Sequence, residues 1–516
     1  MSIHADTKAS DSNASATATT TTTTMPTTTS KIADSVDGYG YANVKHAGNR
    51  NRDHYKISMN PRRFRLRQML LPLIRSETPR LARIQQTFRT KFWDNYFAFS
   101  ANLGTHTFFV ITLPLPFWFD LADLGRTLVY TLAAGVIFSG MIKDFLCLPR
   151  PLSPPLHRIS ISGYVTLEYG FLSTHSTNAV SAALALFYAI RSSGDYFHPM
   201  TRVLINILLV VYVLSICLGR IYCGMHGFLD VAIGSTLGSV IFYLRLYFSH
   251  TIDSFIMHGG VASPLTITLI ILVLVRVHPE PVDPCPCFED SVAFAGVVLG
   301  VDLALWYMWD KPYAWMEPQF GPSPVTLSHP GLIRAVLRML IGITSIFIWR
   351  AIMKKLLLRY LPPIFRVVEK IGLSMPRVFF LRASEYSTVP SSVPDSTLVG
   401  AREIPSLIKN ISRGRSDSVG PQSTADMYET LAYRDERQRT KPSSTTSDDR
   451  SVSSKEEKFT THSDLEEEID DELLFLQVQP PRVRYDVEVV TKLIVYTGIG
   501  ICGAQVGLLT NYYLDI

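Results

Sequence analysis

Three short clusters of polar residues stand at the ends of apolar stretches, where ionisable side chains are costly to bury and usually serve a function. The first cluster runs from Lys143 to Pro151 and includes Arg150. Lysine and arginine make charge-assisted hydrogen bonds to phosphate oxygens, and arginine can form two in parallel. Taken alone, this pair is more typical of a positive anchor at a membrane surface than of a binding site.

The second cluster is Ser173-Thr174-His175-Ser176, directly before another apolar stretch. Ser173 suits the N-cap of a helix, and the backbone N–H groups after it would point outward at the positive end of the helix dipole. Such a helix terminus binds anions, and His175 would lie beside the bound anion. A simple helix cap explains Ser173 equally well.

The third cluster lies between Arg220 and Asp230 and contains His226. His226 and Asp230 are four residues apart, so they share one face if a helix starts near Gly227. A carboxylate beside one imidazole nitrogen fixes the tautomer and leaves the other nitrogen with a lone pair for nucleophilic attack. The alternative is an ordinary polar loop.

Together the clusters predict a phosphate site, because pairs of apolar stretches separate them and so return all three to one membrane face. Two histidines and an aspartate could instead bind a metal. The cations Lys143, Arg150 and Arg220 argue against that alternative, since they would repel a divalent ion while neutralising phosphate oxygens in its place. We therefore expect neither a metal nor a cofactor.

The apolar stretches that must position these clusters are long enough to cross a membrane. The chain of 516 residues is 47% hydrophobic and only 18% charged, with a mean hydropathy of +0.17. Because lipid offers no water to open strands, we predict an all-α, polytopic transmembrane helical bundle. The nine predicted spans lie near 97–119, 124–142, 176–191, 203–219, 229–248, 262–277, 291–309, 332–351 and 487–511.

An arginine-rich stretch precedes the first predicted span and faces only one acidic residue, Glu77. Its arginines are Arg62, Arg63, Arg65, Arg67, Arg75, Arg80, Arg83 and Arg89. Such a run can bind nucleic acid, but no nucleic-acid-binding pattern accompanies it. We interpret it as a juxtamembrane segment on the cytosolic side, in contact with anionic headgroups, and expect no nucleic-acid partner.

Composition divides the chain into six segments. We predict a disordered tail at 1–60, basic interfacial helices at 61–95, a transmembrane core at 96–351, an amphipathic segment at 352–384, a disordered polar insertion at 385–486 and a C-terminal transmembrane helix at 487–516. The six cysteines show no zinc-finger spacing. Cys285 and Cys287 could form a local disulfide or remain two free thiols.

The combined motif K-x6-R-P, S-x-H and R-x5-H-x3-D resembles the signature of the type 2 phosphatidic-acid phosphatase superfamily. Three longer stretches are similar to the long-chain-base-phosphate phosphatases of fungi. They are P-R-P-L-S-P-P-L-H-R-I (149–159), E-Y-G-F-L-S-T-H-S-T-N-A (168–179) and R-I-Y-C-G-M-H-G-F-L-D (220–230). The resemblance covers roughly residues 60–350. It implies a six-helix lipid-phosphatase-like core in the membrane of the endoplasmic reticulum and a phosphorylated sphingoid base as the lipid phosphate substrate.

The resemblance also implies a role for each matching residue. His226 would attack phosphorus while Asp230 holds its far ring nitrogen, and His175 would protonate the leaving alkoxide and then activate water. The phosphoryl oxygens would be bound by Lys143, Arg150, Ser173, Arg220 and the backbone N–H groups near Thr174. Two positions depart from the family pattern: Leu172 replaces the usual proline and Gly219 the common serine. We expect reduced order around Ser173, not loss of activity.

Alternatives remain within and outside this superfamily. The chain could be a broader phosphatase acting on phosphatidate or diacylglycerol pyrophosphate, or a phosphotransferase that uses an alcohol as acceptor. It could also be a catalytically silent lipid sensor, or a transporter in which Asp302 and Arg334 line a pathway.

The sequence gives two conflicting predictions for the membrane side of the site, of which we favour the lumen, because hydropathy counts easily miss one re-entrant or interfacial segment. Counting from a cytosolic N-terminal segment puts the clusters back on the cytosolic side, whereas the resemblance implies a site facing the lumen. Either one span is miscounted, or the N-terminus lies opposite, or the family inference fails here.

Overall fold

The computed structural model describes most of the chain outside its N-terminal tail and the polar insertion. The described residues are 47–50, 52–103, 108–109, 112–153, 155–159, 168–193, 196–283, 285–309, 332–371 and 485–514. In chain order the helices are α1 (Arg52–Ser58), α2 (Pro61–Phe88), α3 (Lys91–Asn102), α4 (Pro114–Trp118), α5 (Ala122–Leu146), α6 (Thr174–Ser192), α7 (Pro199–Tyr222), α8 (Phe228–His258), α9 (Ala262–Val277), α10 (Cys287–Met308), α11 (Leu332–Lys370) and α12 (Val487–Leu514). The predicted all-α membrane fold is confirmed.

Six of the described helices are long and apolar enough to cross a membrane, namely α5, α7, α8, α10, α11 and α12. Each coincides with one of the nine predicted spans. The predicted span at 262–277 forms α9, which is apolar but has only 16 residues. The span predicted at 176–191 forms α6, whose buried serine, threonine and asparagine side chains make it too polar to be counted with the six.

The predicted span at 97–119 is wrong as a single helix. α3 ends at Asn102, and α4 begins only at Pro114. α3 packs along α7, where the hydroxyl of Tyr96 lies 2.6 Å from that of Ser215. The ring of Phe117 in α4 lies against the first turn of α5. The described part of this stretch therefore contains two separate helices, α3 along α7 and α4 at the start of α5.

The two ends of the bundle are defined by α5. Arg126 lies near its start and Lys143 in its last turn, about 25 Å apart at the helical rise per residue. The arginine-rich α2 lies at the Lys143 end, because Arg63 donates a hydrogen bond to the carbonyl of Asp144 at 2.8 Å. The basic segment and the Lys143 cluster thus share one end of the bundle.

The predicted disordered tail is wrong for its last residues. Within 1–60, the structure places α1 against the folded bundle, and Tyr55 is fully buried. The guanidinium of Arg67 lies 3.7 Å from the centre of the Tyr55 ring, a cation–π contact. Composition could not reveal this contact, because it joins two segments that each look polar. Residues 1–46 lie outside the described part of the chain.

Two further segment boundaries differ from the structure. The basic segment predicted at 61–95 contains α2 and the first turn of α3, which continues to Asn102. The division predicted at 351 is wrong, since α11 runs on to Lys370 through Pro362 and Pro363. The predicted insertion at 385–486 lies outside the described residues except for its last two.

A buried ion cluster joins α5 and α8 at the Arg126 end. Arg126 lies 3.3 Å from a carboxylate oxygen of Asp253, and Arg245 reaches the same carboxylate at 2.8 Å. Tyr130 donates a hydrogen bond to Asp302 of α10 beside them. Paired charges of this kind hold membrane helices together, because an uncompensated charge in lipid is costly.

This arrangement bears on the transporter alternative. The carboxylate of Asp302 belongs to the ion cluster, and Arg334 is exposed on α11. Among the residues that the structure describes, the buried charges concentrate at the two ends of the bundle. They do not form a polar path through its middle.

Close packing between α6 and α8 sets the position of the Ser173 cluster. A Cβ atom added to Gly238 would lie 2.2 Å from the carbonyl oxygen of Thr177, so only glycine permits this approach. Small residues at helix interfaces allow this packing in membranes. One result is that the N–H of Ser173 donates to the carbonyl of Asp230 at 3.1 Å.

We predict that Gly238→Ala forces α6 and α8 apart and lowers the free energy of unfolding by about 1–3 kcal/mol through overpacking. Thermal unfolding in detergent measures this loss, and activity should fall with it. Gly503→Ala is the matched control, because the nearest atom to its added Cβ is 3.6 Å away. Equal melting temperatures for the two variants would contradict the prediction.

Candidate functional site

The end of α5 positions the first two cations. Lys143 lies in the last turn, and Cys147 caps the helix in the left-handed conformation, with φ 50° and ψ 40°. The chain thereby turns back across the end of the bundle and carries Arg150 into it. Both side chains are buried, at 2% and 4% relative exposure, although both are charged.

The described contacts of these cations are with the residue 168 segment and the α7–α8 turn. Lys143 Nζ lies 2.9 Å from Glu168 Oε2, and Arg150 reaches the same oxygen at 3.5 Å. Arg150 also donates to the backbone carbonyls of Glu168 and Met225, at 3.1 and 3.0 Å. Two carbonyls and one carboxylate therefore hold the guanidinium in a fixed orientation.

The start of α6 supplies backbone N–H groups. Ser173 is its N-cap, and its hydroxyl accepts the N–H of Ser176 at 3.3 Å. The hydroxyl of Thr174 lies 2.8 Å from that of Ser139 on α5, which fixes the first turn. His175 is half-buried on that turn, whereas the other seven predicted site side chains are buried.

The end of α7 supplies the third cation. Arg220 lies in the last turn of α7 and is buried, and its guanidinium donates to the carbonyl of Ala101 at 3.3 Å. The Nε atom of Arg220 has no hydrogen-bond partner within the described part of the chain. Its backbone carbonyl accepts the N–H groups of Met225 and His226, which folds the turn back on itself.

The imidazole of His226 lies among these groups. Its Nδ1 is 2.8 Å from the carbonyl oxygen of Gly170, and its Nε2 is 3.3 Å from a guanidinium nitrogen of Arg150. A carbonyl can only accept and a guanidinium can only donate. Nδ1 therefore carries the hydrogen, and Nε2 carries the lone pair.

The predicted role of Asp230 as the hydrogen-bond partner of His226 needs correction. Asp230 Oδ2 is 3.7 Å from Nδ1, beyond hydrogen-bond distance, and it accepts the N–H of Gly227 at 2.8 Å instead. Asp230 occupies the third position of α8, where a carboxylate caps its own helix terminus. The carbonyl of Gly170 takes the predicted role.

Burial lowers the pKa of His226 well below its usual value, because the protonated ring would lose its water. The positive charges of Arg150, Lys143 and Arg220 lower the pKa further, and the hydrogen bond to Gly170 opposes them only in part. The imidazole is therefore neutral at physiological pH. A neutral ring with its lone pair beside three cations can attack an electrophile that binds as an anion.

The structure thus brings Arg150 into contact with His226 and, through Glu168, links it to Lys143. Ser173 is hydrogen-bonded to the backbone of Asp230. Three further contributors were missed. Glu168 and Gly170 stood inside a motif quoted for its resemblance, but nothing in their types indicated a role. Glu77 of α2 accepts the N–H of Leu229 at 3.1 Å and so caps α8. That contact joins residues far apart in sequence.

The two departures from the family pattern are both accommodated by packing. Leu172 is fully buried in an apolar cluster with Ile74, Leu146 and Leu148. A Cβ on Gly219 would lie 3.0 Å from the ring of Phe97, so α3 occupies the space that a serine side chain would need. Reduced order around Ser173 stays a prediction.

One group of possible metal ligands lies near the site end of α5. Ligand atoms of Asp144, Cys285 and Cys287 lie within 4.8 Å of one another. The two sulfurs are joined as a disulfide, the first of the two states that the sequence allowed. Sulfurs bonded in this way are not thiolate ligands, so the cluster does not fit a metal.

Known proteins match this chain across the helical core. The sequence model of the PAP2 superfamily matches residues 124–253. A dihydrosphingosine 1-phosphate phosphatase of Schizosaccharomyces pombe is 36% identical over 65% of this chain and 79% of its own length. A second, from Saccharomyces cerevisiae, is also 36% identical, over 60% and 74%. Mouse sphingosine-1-phosphate phosphatase 2 is 28% identical over 55% and 80%. No solved structure matches significantly.

The chain belongs to the PAP2 superfamily of phosphatases, beside the dihydrosphingosine 1-phosphate phosphatases of fungi. The resemblance seen in the motifs is confirmed. Together with its apolar helices, this makes the protein a multi-pass membrane enzyme that hydrolyses phosphate monoesters.

The lowered pKa of His226 predicts a pH effect. Lys143→Gln removes a positive charge that disfavours the imidazolium, so the pKa of His226 should rise. Activity would then begin to fall at a higher pH on acidification, in addition to an overall loss of about tenfold or more from weaker phosphate binding.

The acid limb of kcat/KM measures this shift. The substrate phosphate titrates near pH 6 as well, but equally in all variants. Glu289→Gln is the control, because it breaks a lysine–carboxylate pair between α10 and α12, two helices that supply none of the predicted site residues. An acid limb that stays in place or moves to lower pH in Lys143→Gln would contradict the electrostatic explanation.

Proposed function

We propose that this protein hydrolyses a phosphorylated sphingoid base to the free base and inorganic phosphate through a phosphohistidine intermediate. The observation that carries the proposal is the hydrogen bonding of His226, whose Nε2 lone pair faces Arg150 in a pocket with Lys143. A nucleophile held beside cations of this kind suits attack on a bound phosphoryl group.

In the first step the phosphoryl oxygens bind Lys143, Arg150 and Arg220, with the N–H groups at the start of α6. The guanidinium of Arg150 exchanges its contact with Nε2 for one with phosphate. Nε2 then attacks phosphorus, and the bond from phosphorus to the ester oxygen breaks. His175 gives its proton to the leaving alkoxide, so the free base departs with a neutral hydroxyl group.

In the second step His175, now neutral, takes a proton from water. The resulting hydroxide attacks phosphorus, the bond from phosphorus to Nε2 breaks, and phosphate leaves. The carbonyl of Gly170 keeps the proton on Nδ1 of His226 throughout, so the ring returns to the same tautomer. Asp230 supports the turn behind it and stabilises positive charge on the ring from 3.7 Å.

The substrate class rests on the relatives named for dihydrosphingosine 1-phosphate and sphingosine 1-phosphate. A lipid phosphate would keep its chain among the apolar helices while its head group enters the pocket. We also propose the membrane of the endoplasmic reticulum as the location, from the same resemblance. A broader lipid phosphatase and a phosphotransferase use the same chemistry and are separated from this proposal by their substrates and acceptors.

Turnover of the purified protein on a lipid panel tests the proposal. In EDTA we expect hydrolysis of sphingoid-base phosphates to exceed that of phosphatidate and diacylglycerol pyrophosphate at least tenfold. The fixed cations neutralise the phosphate, so magnesium should not increase the rate. Activity that is lost in EDTA and restored by magnesium would refute the metal-independent mechanism. An equal rate on all lipids would refute the preference for sphingoid-base phosphates.

The intermediate can be trapped in a variant. With an aryl phosphate, the leaving group needs no proton, but hydrolysis of the phosphohistidine still needs a base. His175→Gln should therefore release about one equivalent of phenol per enzyme in a burst and retain acid-labile phosphate.

His226→Ala should show neither burst nor label, and its turnover of the lipid should fall at least about a thousandfold. His250→Ala serves as the control, since that histidine is exposed on α8. A label that persists in His226→Ala would exclude this residue as the nucleophile.

A further inference from the structure

A carboxylate lies inside the pocket proposed for the phosphate. Glu168 Oε2 is 2.9 Å from Lys143 Nζ and 3.5 Å from a guanidinium nitrogen of Arg150, and the side chain is 21% exposed. The mechanism gives this side chain no role. Within the described part of the chain, it is nevertheless the acidic group in ion-pair contact with two of the three cations proposed to bind phosphate, Lys143 and Arg150.

A carboxylate in this position disfavours a bare dianionic phosphate. Like charges repel strongly where little water screens them, and both cations are almost fully buried. A pocket built for phosphate alone would bind it more tightly with a neutral residue here. The carboxylate becomes favourable only if the substrate brings its own positive charge beside the phosphate.

We propose that Glu168 binds the ammonium group of the substrate and so selects phosphate esters of amino alcohols over phosphate esters without an amine. This inference rests on the proposed function, since a sphingoid base carries its amine on the carbon next to the phosphate-bearing carbon. The ammonium therefore enters the pocket with the phosphate. Lys143 and Arg150 turn to the phosphoryl oxygens, and the ammonium replaces them as the partner of Glu168.

The position of Glu168 suits this exchange. Its backbone carbonyl accepts a hydrogen bond from Arg150 at 3.1 Å, so the residue is anchored while its side chain remains partly exposed. Tyr169 and Gly170 follow directly, and the Gly170 carbonyl holds His226. The ammonium would thus be positioned by the same short segment that orients the proposed nucleophile.

The test compares two substrates that differ only in the amine. They are dihydrosphingosine 1-phosphate and the same long-chain phosphate with hydrogen in place of the amino group. For Glu168→Gln we expect kcat/KM on the amine substrate to fall about tenfold or more, as for loss of a charge-assisted bond. On the amine-free phosphate the same variant should change less than about threefold, or gain activity through the lost repulsion.

Glu289→Gln provides the matched control, because it also removes a carboxylate paired with a lysine, Lys492, and should leave both substrates unchanged. An equal loss on both substrates would overturn the proposal and assign Glu168 only to positioning Lys143 and Arg150. No change on either substrate would overturn it as well. A wild-type protein inactive on both would refute the proposed function itself, which is a separate outcome.

Discussion

A 2.8 Å hydrogen bond joins Nδ1 of His226 to the carbonyl oxygen of Gly170, and it decides which ring nitrogen faces the pocket. The carbonyl is in place because the N–H of Gly170 donates to the carbonyl of Leu148 at 2.8 Å. A Cβ on Gly170 would lie 2.4 Å from the carbonyl oxygen of Pro149, so only glycine lets the two strands of chain approach this closely. The imidazole that we propose as the nucleophile is therefore oriented by backbone atoms that no side-chain pattern reveals.

The segment that carries Gly170 is tied to the N-terminal region through Asp283. The Tyr55 hydroxyl donates to Asp283 at 2.6 Å, the Tyr169 hydroxyl lies 3.3 Å from the same carboxylate, and the N–H of Asp283 donates to the Tyr169 hydroxyl at 2.8 Å. Burial raises the pKa of both tyrosines, so the hydroxyls keep their hydrogens and can donate. Composition assigned the residues around α1 to a disordered tail. Through Asp283 they instead hold Tyr169 in place, and Tyr169 precedes Gly170, whose carbonyl orients His226.

Sequence patterns predicted most of the long apolar helices and the charged residues at their ends. They did not predict contacts made by backbone carbonyls or contacts between residues far apart in sequence. Apolar runs such as α5 and α12 are visible because lipid demands continuous hydrophobicity. α3 and α4 replace the span expected at 97–119, because α3 ends at Asn102 well before the proline that begins α4. The spacing of His226 and Asp230 placed both on one helix start, but spacing cannot tell whether a carboxylate or a carbonyl reaches the ring first. Glu168 carried no signal at all, since an acidic residue beside a predicted phosphate site contradicts the simple charge rule.

The charges at the two ends of the bundle are arranged differently, in a way that suits helix packing at one end and the proposed binding of an anion at the other. At the Arg126 end the guanidiniums of Arg126 and Arg245 converge on Asp253, and Arg126 also pairs with Asp123, so two positive charges meet two negative charges within the protein. At the Lys143 end the cations instead make many of their hydrogen bonds to neutral carbonyls, as Arg150 does to Met225 and Arg220 to Ala101. A carbonyl orients a guanidinium without neutralising it, which leaves excess positive charge in a place with little water. That excess disfavours the imidazolium form of His226 and favours an incoming anion. In the proposed mechanism, the same electrostatic imbalance would keep the nucleophile unprotonated and attract the phosphate to it.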